Sequence, residues 1–144
     1  MREDKKVFYL GDWVKVSERL GENSVDLIVS DSPFGVELED NVHFNDGFDY
    51  VQANLPDWMK QMHRVLKKYR HIYLYVPTLL LNVFLTQFEK YFVLMNITIA
   101  STYTQNTFTK NNFGFEAQFI LYGTKGDAPN YEMDKEGRRK AKSN

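Results

Sequence analysis

Apolar residues in this chain follow two rhythms, and the alternation between them predicts its architecture. Val25-Asp26-Leu27-Ile28-Val29 is a short, branched apolar run behind the polar break Gly21-Glu22-Asn23-Ser24. Runs of that length and composition read as buried strands. Lys6 to Leu10, His71 to Val76, Phe92 to Thr102 and Phe115 to Tyr122 have the same character. Between them the spacing becomes helical: Val14 to Leu20, then Phe48 onward, then Thr78 to about Lys90. Trp58, Met62, Val65 and Leu66 form one apolar stripe of the middle helix, with its basic residues facing elsewhere. Pro56 disfavours helix at Leu55, so that helix is expected in two pieces, the second opening at the proline. Residues 31–47 and 105–112 show no period and should be loops.

Strands and helices in alternation predict an α/β fold, a partial Rossmann-like sheet that is mainly parallel with right-handed crossovers. No helix separates the last two strands. Their connection is too short for most parallel crossovers, so the final strand is expected to run antiparallel.

Composition narrows the picture. With 144 residues, 43% of them hydrophobic and 15% aromatic, the chain should fold as one domain rather than remain disordered. That domain is expected over residues 1–126, followed by a charged, disordered tail at 127–144. There is no cysteine, which excludes disulfides, thiolate metal sites and cysteine nucleophiles together. His43, His63 and His71 are too far apart to form a local ligand pair, and no metal is expected. A net charge of −1 does not advertise a nucleic-acid binder. Lys60, Arg64, Lys67, Lys68 and Arg70 crowd one segment, and Lys135, Arg138, Arg139, Lys140 and Lys142 another. Such runs commonly do no more than solvate a surface. The start of the chain is charged, and its longest apolar stretch, Leu79 to Leu85, is far short of a bilayer crossing. A cytoplasmic protein without a membrane segment is expected.

The chemistry is concentrated where the Val25 to Val29 strand ends, at Asp31-Ser32-Pro33-Phe34-Gly35. Side chains just beyond a strand of an α/β sheet line the crevice in which such folds bind ligands. A carboxylate there can accept a hydrogen bond from an amino group, and a free backbone carbonyl beside it a second. Phe34 offers a flat face for a planar ring. Together they suit an exocyclic amino group on an aromatic heterocycle, reachable when the base is unpaired or flipped from its stack. Asp-Ser-Pro is also ordinary turn composition, so these residues alone leave both readings open.

Four segments in order resemble the amino-methylating DNA methyltransferases, which act on N6 of adenine or N4 of cytosine. Tyr9-Leu10-Gly11-Asp12 looks like a strand end preceding the catalytic strand; Ser24 to Gly35 resembles the catalytic segment usually written Asp-Pro-Pro-Tyr. Trp58 to Leu66 with His71 to Leu74 is similar to the next helix and strand, and Gly114 to Gly126 to the late segment ending in Lys-Gly. The permuted type, with the catalytic segment first, is the one resembled. The resemblance implies DNA as substrate and S-adenosylmethionine as cofactor. Asp31 and the Ser32 carbonyl would then accept from the target amino group, Pro33 would set the turn and Phe34 would stack on the base. Asp12, with Trp13 beside it, would meet the adenine of the cofactor.

Departures from the family pattern carry information too. Ser32 stands in place of proline, Phe34 in place of tyrosine, and Lys68-Tyr69-Arg70 where the family has Pro-Gly-Gly. No glycine-rich turn of the Phe-x-Gly-x-Gly type follows the Lys-Gly end, so the cofactor site implied by the resemblance is incomplete. A second chain or second copy is the expected source of that segment. The family's corresponding strands lie between the Lys6 to Leu10 strand and the Val25 to Val29 strand. Either these two pair directly, or an apolar edge is left exposed. The readings are a minimal, split or truncated methyltransferase, or a catalytically inactive nucleic-acid-binding remnant.

Overall fold

A computed structural model describes residues 6–33, 47–101, 117–126, 131–133 and 139–141. In chain order the elements are α1 (Trp13–Ser17), β1 (Val25–Asp31), α2 (Phe48–Val65) and β2 (Leu66–Val76). A 3-10 turn (Thr78–Leu80), α3 (Leu81–Phe88), β3 (Val93–Ser101), β4 (Ala117–Thr124), β5 (Tyr131–Met133) and β6 (Arg139–Ala141) follow. The main sheet has the order β1-β2-β4-β3. β1 and β2 are parallel, while β4 lies antiparallel between β2 and β3. Three strands thus point one way and the last one back, as the missing helix before it requires. β5 and β6 form a separate two-stranded ladder in the stretch expected to be a disordered tail.

Period-two alternation places Ile72, Leu74, Val76 and Leu121 on one face of the sheet, all but fully buried. Val51, Leu55, Met59 and Met62 of α2, and Phe84 and Phe88 of α3, join them in one core cluster. α1 packs on α2. Gly123 lets α3 lie close against the sheet: a Cβ there would stand 2.6 Å from the Val93 carbonyl oxygen and 2.7 Å from the Phe88 ring.

Three expectations need correction. α2 is one continuous helix with Pro56 inside it. The proline removes a backbone hydrogen bond and costs about 3 kcal/mol, but the helix buries Val51, Leu55, Met59, Met62 and Val65. At about 1.5–3 kcal/mol each, those side chains outweigh one proline. The stripe also runs along these residues, with Leu66 already in β2 and Trp58 only partly buried. Second, residues 6–10 form no strand, and their apolar side chains face solvent, Leu10 completely (102%). Third, β2 begins at Leu66 rather than His71.

The early start of β2 has a local cause. Val25 pairs with Leu66 but Leu27 pairs with His71, so β2 carries three extra residues opposite Asp26. The bulge turns at Tyr69, whose φ is +64°, a left-handed conformation that glycine adopts without strain. Tyr69 stands in the stretch where the resembled family has Pro-Gly-Gly. The bulge brings Lys67 to 2.7 Å and Arg70 to 3.3 Å of the Asp26 carboxylate. The hydrogen bond from Lys67 holds that carboxyl below its usual pKa; desolvation opposes it, and the Lys67 and Arg70 charges add to the lowering.

Candidate functional site

β1 and β2 run side by side and stop together, with Asp31 beside Tyr75. The turn after them is fixed by the Ser32 N–H, which donates to the Tyr75 carbonyl at 3.3 Å. Ser32 is buried (7% exposed), Pro33 partly buried and Asp31 exposed. The Asp31 carboxylate has no hydrogen-bond or ion-pair partner in the described part of the protein. It is therefore available to accept a donor from outside the chain. β3 also ends at this edge, and β4 starts there. Phe34, expected to stack on the base, lies outside the described residues, as do His43 and Glu116.

Asp12 and Trp13 sit at the start of α1. The Asp12 carboxylate caps the helix, one oxygen accepting from the Lys15 N–H at 3.1 Å. Trp13 is packed against the core, and its indole Nε1–H is buried without a partner. A buried unpaired donor costs about 1–3 kcal/mol, so this group is set to receive an acceptor. Arg64 fastens the other end of α1, donating to the Ser17 carbonyl at 2.7 Å and the Leu20 carbonyl at 2.9 Å. The hydrogen bonds of Asp12 do not link it to Asp31.

The basic cluster lies mostly at the opposite edge and serves the fold. Beyond Arg64, Lys67 and Arg70, the ammonium of Lys125 donates to Asn23 Oδ1 (2.8 Å), the His63 carbonyl (2.7 Å) and the Leu66 carbonyl (2.9 Å). It closes the last turn of α2, where carbonyls lack intrahelical donors. Desolvation lowers its pKa, opposed by Glu22. His63 sits beside Tyr91 and Phe92 with ring centroids 5.8 and 5.7 Å away. Desolvation first and the Lys125 charge second push its pKa down. This clamp went unassigned in the sequence; the only signal was the Lys-Gly ending of β4. Among the described residues no group of three acidic, histidine or cysteine side chains could hold a metal, and no helix is long and apolar enough to cross a membrane.

No family model matches the chain. Its sequence is 31% identical over 68 residues to the type II methyltransferase M.HpaI of Haemophilus parainfluenzae, a match that takes in 44% of this chain and 20% of that protein. The fold is similar to the PvuII cytosine-N4-specific DNA methyltransferase, with a TM-score of 0.63 and 16% identity. It is also similar to TTHA0409 of Thermus thermophilus, a putative DNA modification methylase, with a TM-score of 0.59 and 20% identity. The form of TTHA0409 complexed with S-adenosyl-L-methionine gives the same score at 18% identity. Each structural match takes in 87% of this chain but only 51–57% of the related one. The chain thus spans a fifth of the curated relative and little more than half of the solved structures. The sequence match supports the resemblance to the methyltransferases, with the permuted order of segments left unconfirmed, and the structural matches bear out the mixed α/β fold class.

Proposed function

We propose that this chain is the base-binding part of a DNA amino-methyltransferase that uses S-adenosylmethionine and methylates N6 of adenine or N4 of cytosine. The observation that carries the reading is Asp31: an exposed, unpartnered carboxylate at the parallel strand ends, followed by a turn pinned to β2 through the Ser32 N–H. Asp31 and the Ser32 carbonyl accept the two hydrogens of the target amino group, Pro33 fixes their spacing and Phe34 stacks on the base. Two acceptors on one amino group localise its lone pair on nitrogen and aim it, and Asp31 can receive the proton the nitrogen gives up. Catalysis here is positioning and electrostatics.

S-adenosylmethionine supplies the methyl group. The residues on hand fit part of its site: Asp12 has a carboxylate oxygen free of the cap, and Trp13 has an orphaned indole N–H. The remainder, including the glycine-rich turn that the family resemblance implies, comes from a second polypeptide or a second copy. On this reading the chain works in the cytoplasm. The alternative of an inactive nucleic-acid-binding remnant gains no support from the basic cluster, since Arg64, Lys67, Arg70 and Lys125 are engaged within the chain. Calorimetric titration of the protein with S-adenosylmethionine, repeated with its demethylated product, tests the reading. Micromolar binding by the assembled protein is expected; none at millimolar ligand would remove the cofactor from the proposal.

A further inference from the structure

At the foot of the sheet, the edge opposite Asp31, an open cleft of about 410 Å³ lies between Asn23, His63, Lys68, Lys125 and Gly126. That volume falls in the range of small-ligand sites, about 300–1,000 Å³. Lys125 is spent on the fold, its ammonium donating to Asn23 Oδ1, the His63 carbonyl and the Leu66 carbonyl. It remains a fixed positive charge in the lining. Because Asn23 Oδ1 faces that ammonium, the Asn23 amide NH2 is turned away and keeps its donors unused among the described residues. His63 has aromatic neighbours in Tyr91 and Phe92, but its ring nitrogens have no hydrogen-bond partner there.

Lys68 completes the set. Its neighbours Lys67 and Arg70 are both turned onto Asp26, whereas Lys68 has no acidic partner among the described residues. The bulge separates them. Tyr69, at φ +64°, turns the chain; its N–H donates to the Lys125 carbonyl at 2.8 Å, and the Lys125 N–H donates to the Arg70 carbonyl at 3.1 Å. A non-glycine residue in that conformation persists only where its surroundings hold it, and such outliers gather at ligand sites. Lys68 Nζ rests 4.9 Å from the centre of the Tyr69 ring, a weak hold for an exposed pair. A Cβ on Gly126, at φ +79°, would come 3.8 Å from Lys68 Cε and Tyr69 Cε1, so glycine keeps the space beside them open.

We propose that this cleft binds a small phosphomonoester, its phosphate held by Lys68, the Asn23 amide and a His63 ring nitrogen in front of the fixed charge of Lys125. The donors come from three elements, the loop before β1, the last turn of α2 and the β2 bulge, and no carboxylate lines the cleft. Donors from several directions match a tetrahedral dianion better than a planar carboxylate. Room beyond one phosphate accommodates the organic group. Glu22 carries an opposing charge that reaches Lys125, but it does not line the cleft. The backbone of a DNA duplex fits less well. β1 is seven residues long, so roughly 20 Å separate this cleft from Asp31, and a duplex engaged at Asp31 would have to wrap around the sheet to reach it. The site does not depend on the reading of Asp31.

The test is titration of the whole chain with inorganic phosphate and with adenosine monophosphate, at constant ionic strength set by chloride, followed through the ring-proton NMR signals of His63. Saturable binding is expected, with adenosine monophosphate at least as tight as phosphate. The His63 pKa, held down in the free protein by desolvation and then by the Lys125 charge, should rise by about one unit as the anion binds. Lys68→Ala should weaken binding about tenfold, the loss of one charge-assisted hydrogen bond, and Lys68→Arg should retain it. Neither should move the thermal midpoint, because the side chain is exposed. Signals that follow chloride as readily as phosphate, or unchanged affinity in Lys68→Ala, would overturn the proposal. So would binding of a short DNA duplex without binding of either small phosphate.

Discussion

Alternate residues of the same strands lead opposite lives in this sheet. Ile72 and Leu74 are shut under two helices, while Tyr73, between them, is exposed, and Leu27 and Val29 beside it on β1 are more so. The open face carries Leu27, Val29 and Tyr73 exposed beside the polar Asp31 and His71. Burial therefore reflects which layers are present and not hydrophobicity position by position. A finished layer and an unfinished one should respond differently to the same kind of substitution.

The largest effect is expected beneath the helices. Phe84→Ala removes a fully buried ring from α3 and should cost about 3–5 kcal/mol in chemical denaturation. A loss below about 1 kcal/mol would mean that the covered face is loose. Gly123→Ala comes next, at about 1–3 kcal/mol, because the added methyl meets the Val93 carbonyl, a backbone atom that cannot turn aside.

The covered side should also show a pH signature. The folded-state pKa of His63 lies below its ordinary value of 6.5. The unfolded chain therefore binds the proton more readily, and this contribution to stability is complete above pH 6.5 and falls as the pH drops below it. His63→Gln should flatten that part of a stability–pH curve; an unchanged slope would contradict the assignment. The smallest effect belongs to the open face, where Val29→Ala should shift stability of the bare chain by less than about 0.5 kcal/mol. A larger cost would close the contrast between the two faces.

What was legible in the sequence follows the same division. The strands read at 25–29 and 71–76, the helical stretches and the reversed strand before residue 126 could be read because their apolar residues meet partners within the chain. The Lys6 to Leu10 run has the composition of a strand but no neighbour to pair with, and composition cannot reveal an absent partner. Pro56 misled because a local rule was outweighed by burial along α2. Asp31 was readable as a motif. Its exposure, and the pinning of Ser32 to Tyr75, needed the sheet register. The Lys125 clamp was hidden because it joins the end of β4 to residues 59, 62 and 102 positions away.

Asp31 carries the account, and methyl transfer tests it most directly. The natural assembly, given labelled S-adenosylmethionine and DNA, should move label to adenine N6 or cytosine N4. Asp31→Ala should abolish the transfer without changing the thermal midpoint, because the side chain is exposed and has no partner in the described part of the fold. Transfer at an undiminished rate by the Asp31→Ala protein, or none by the unaltered assembly, would contradict the account.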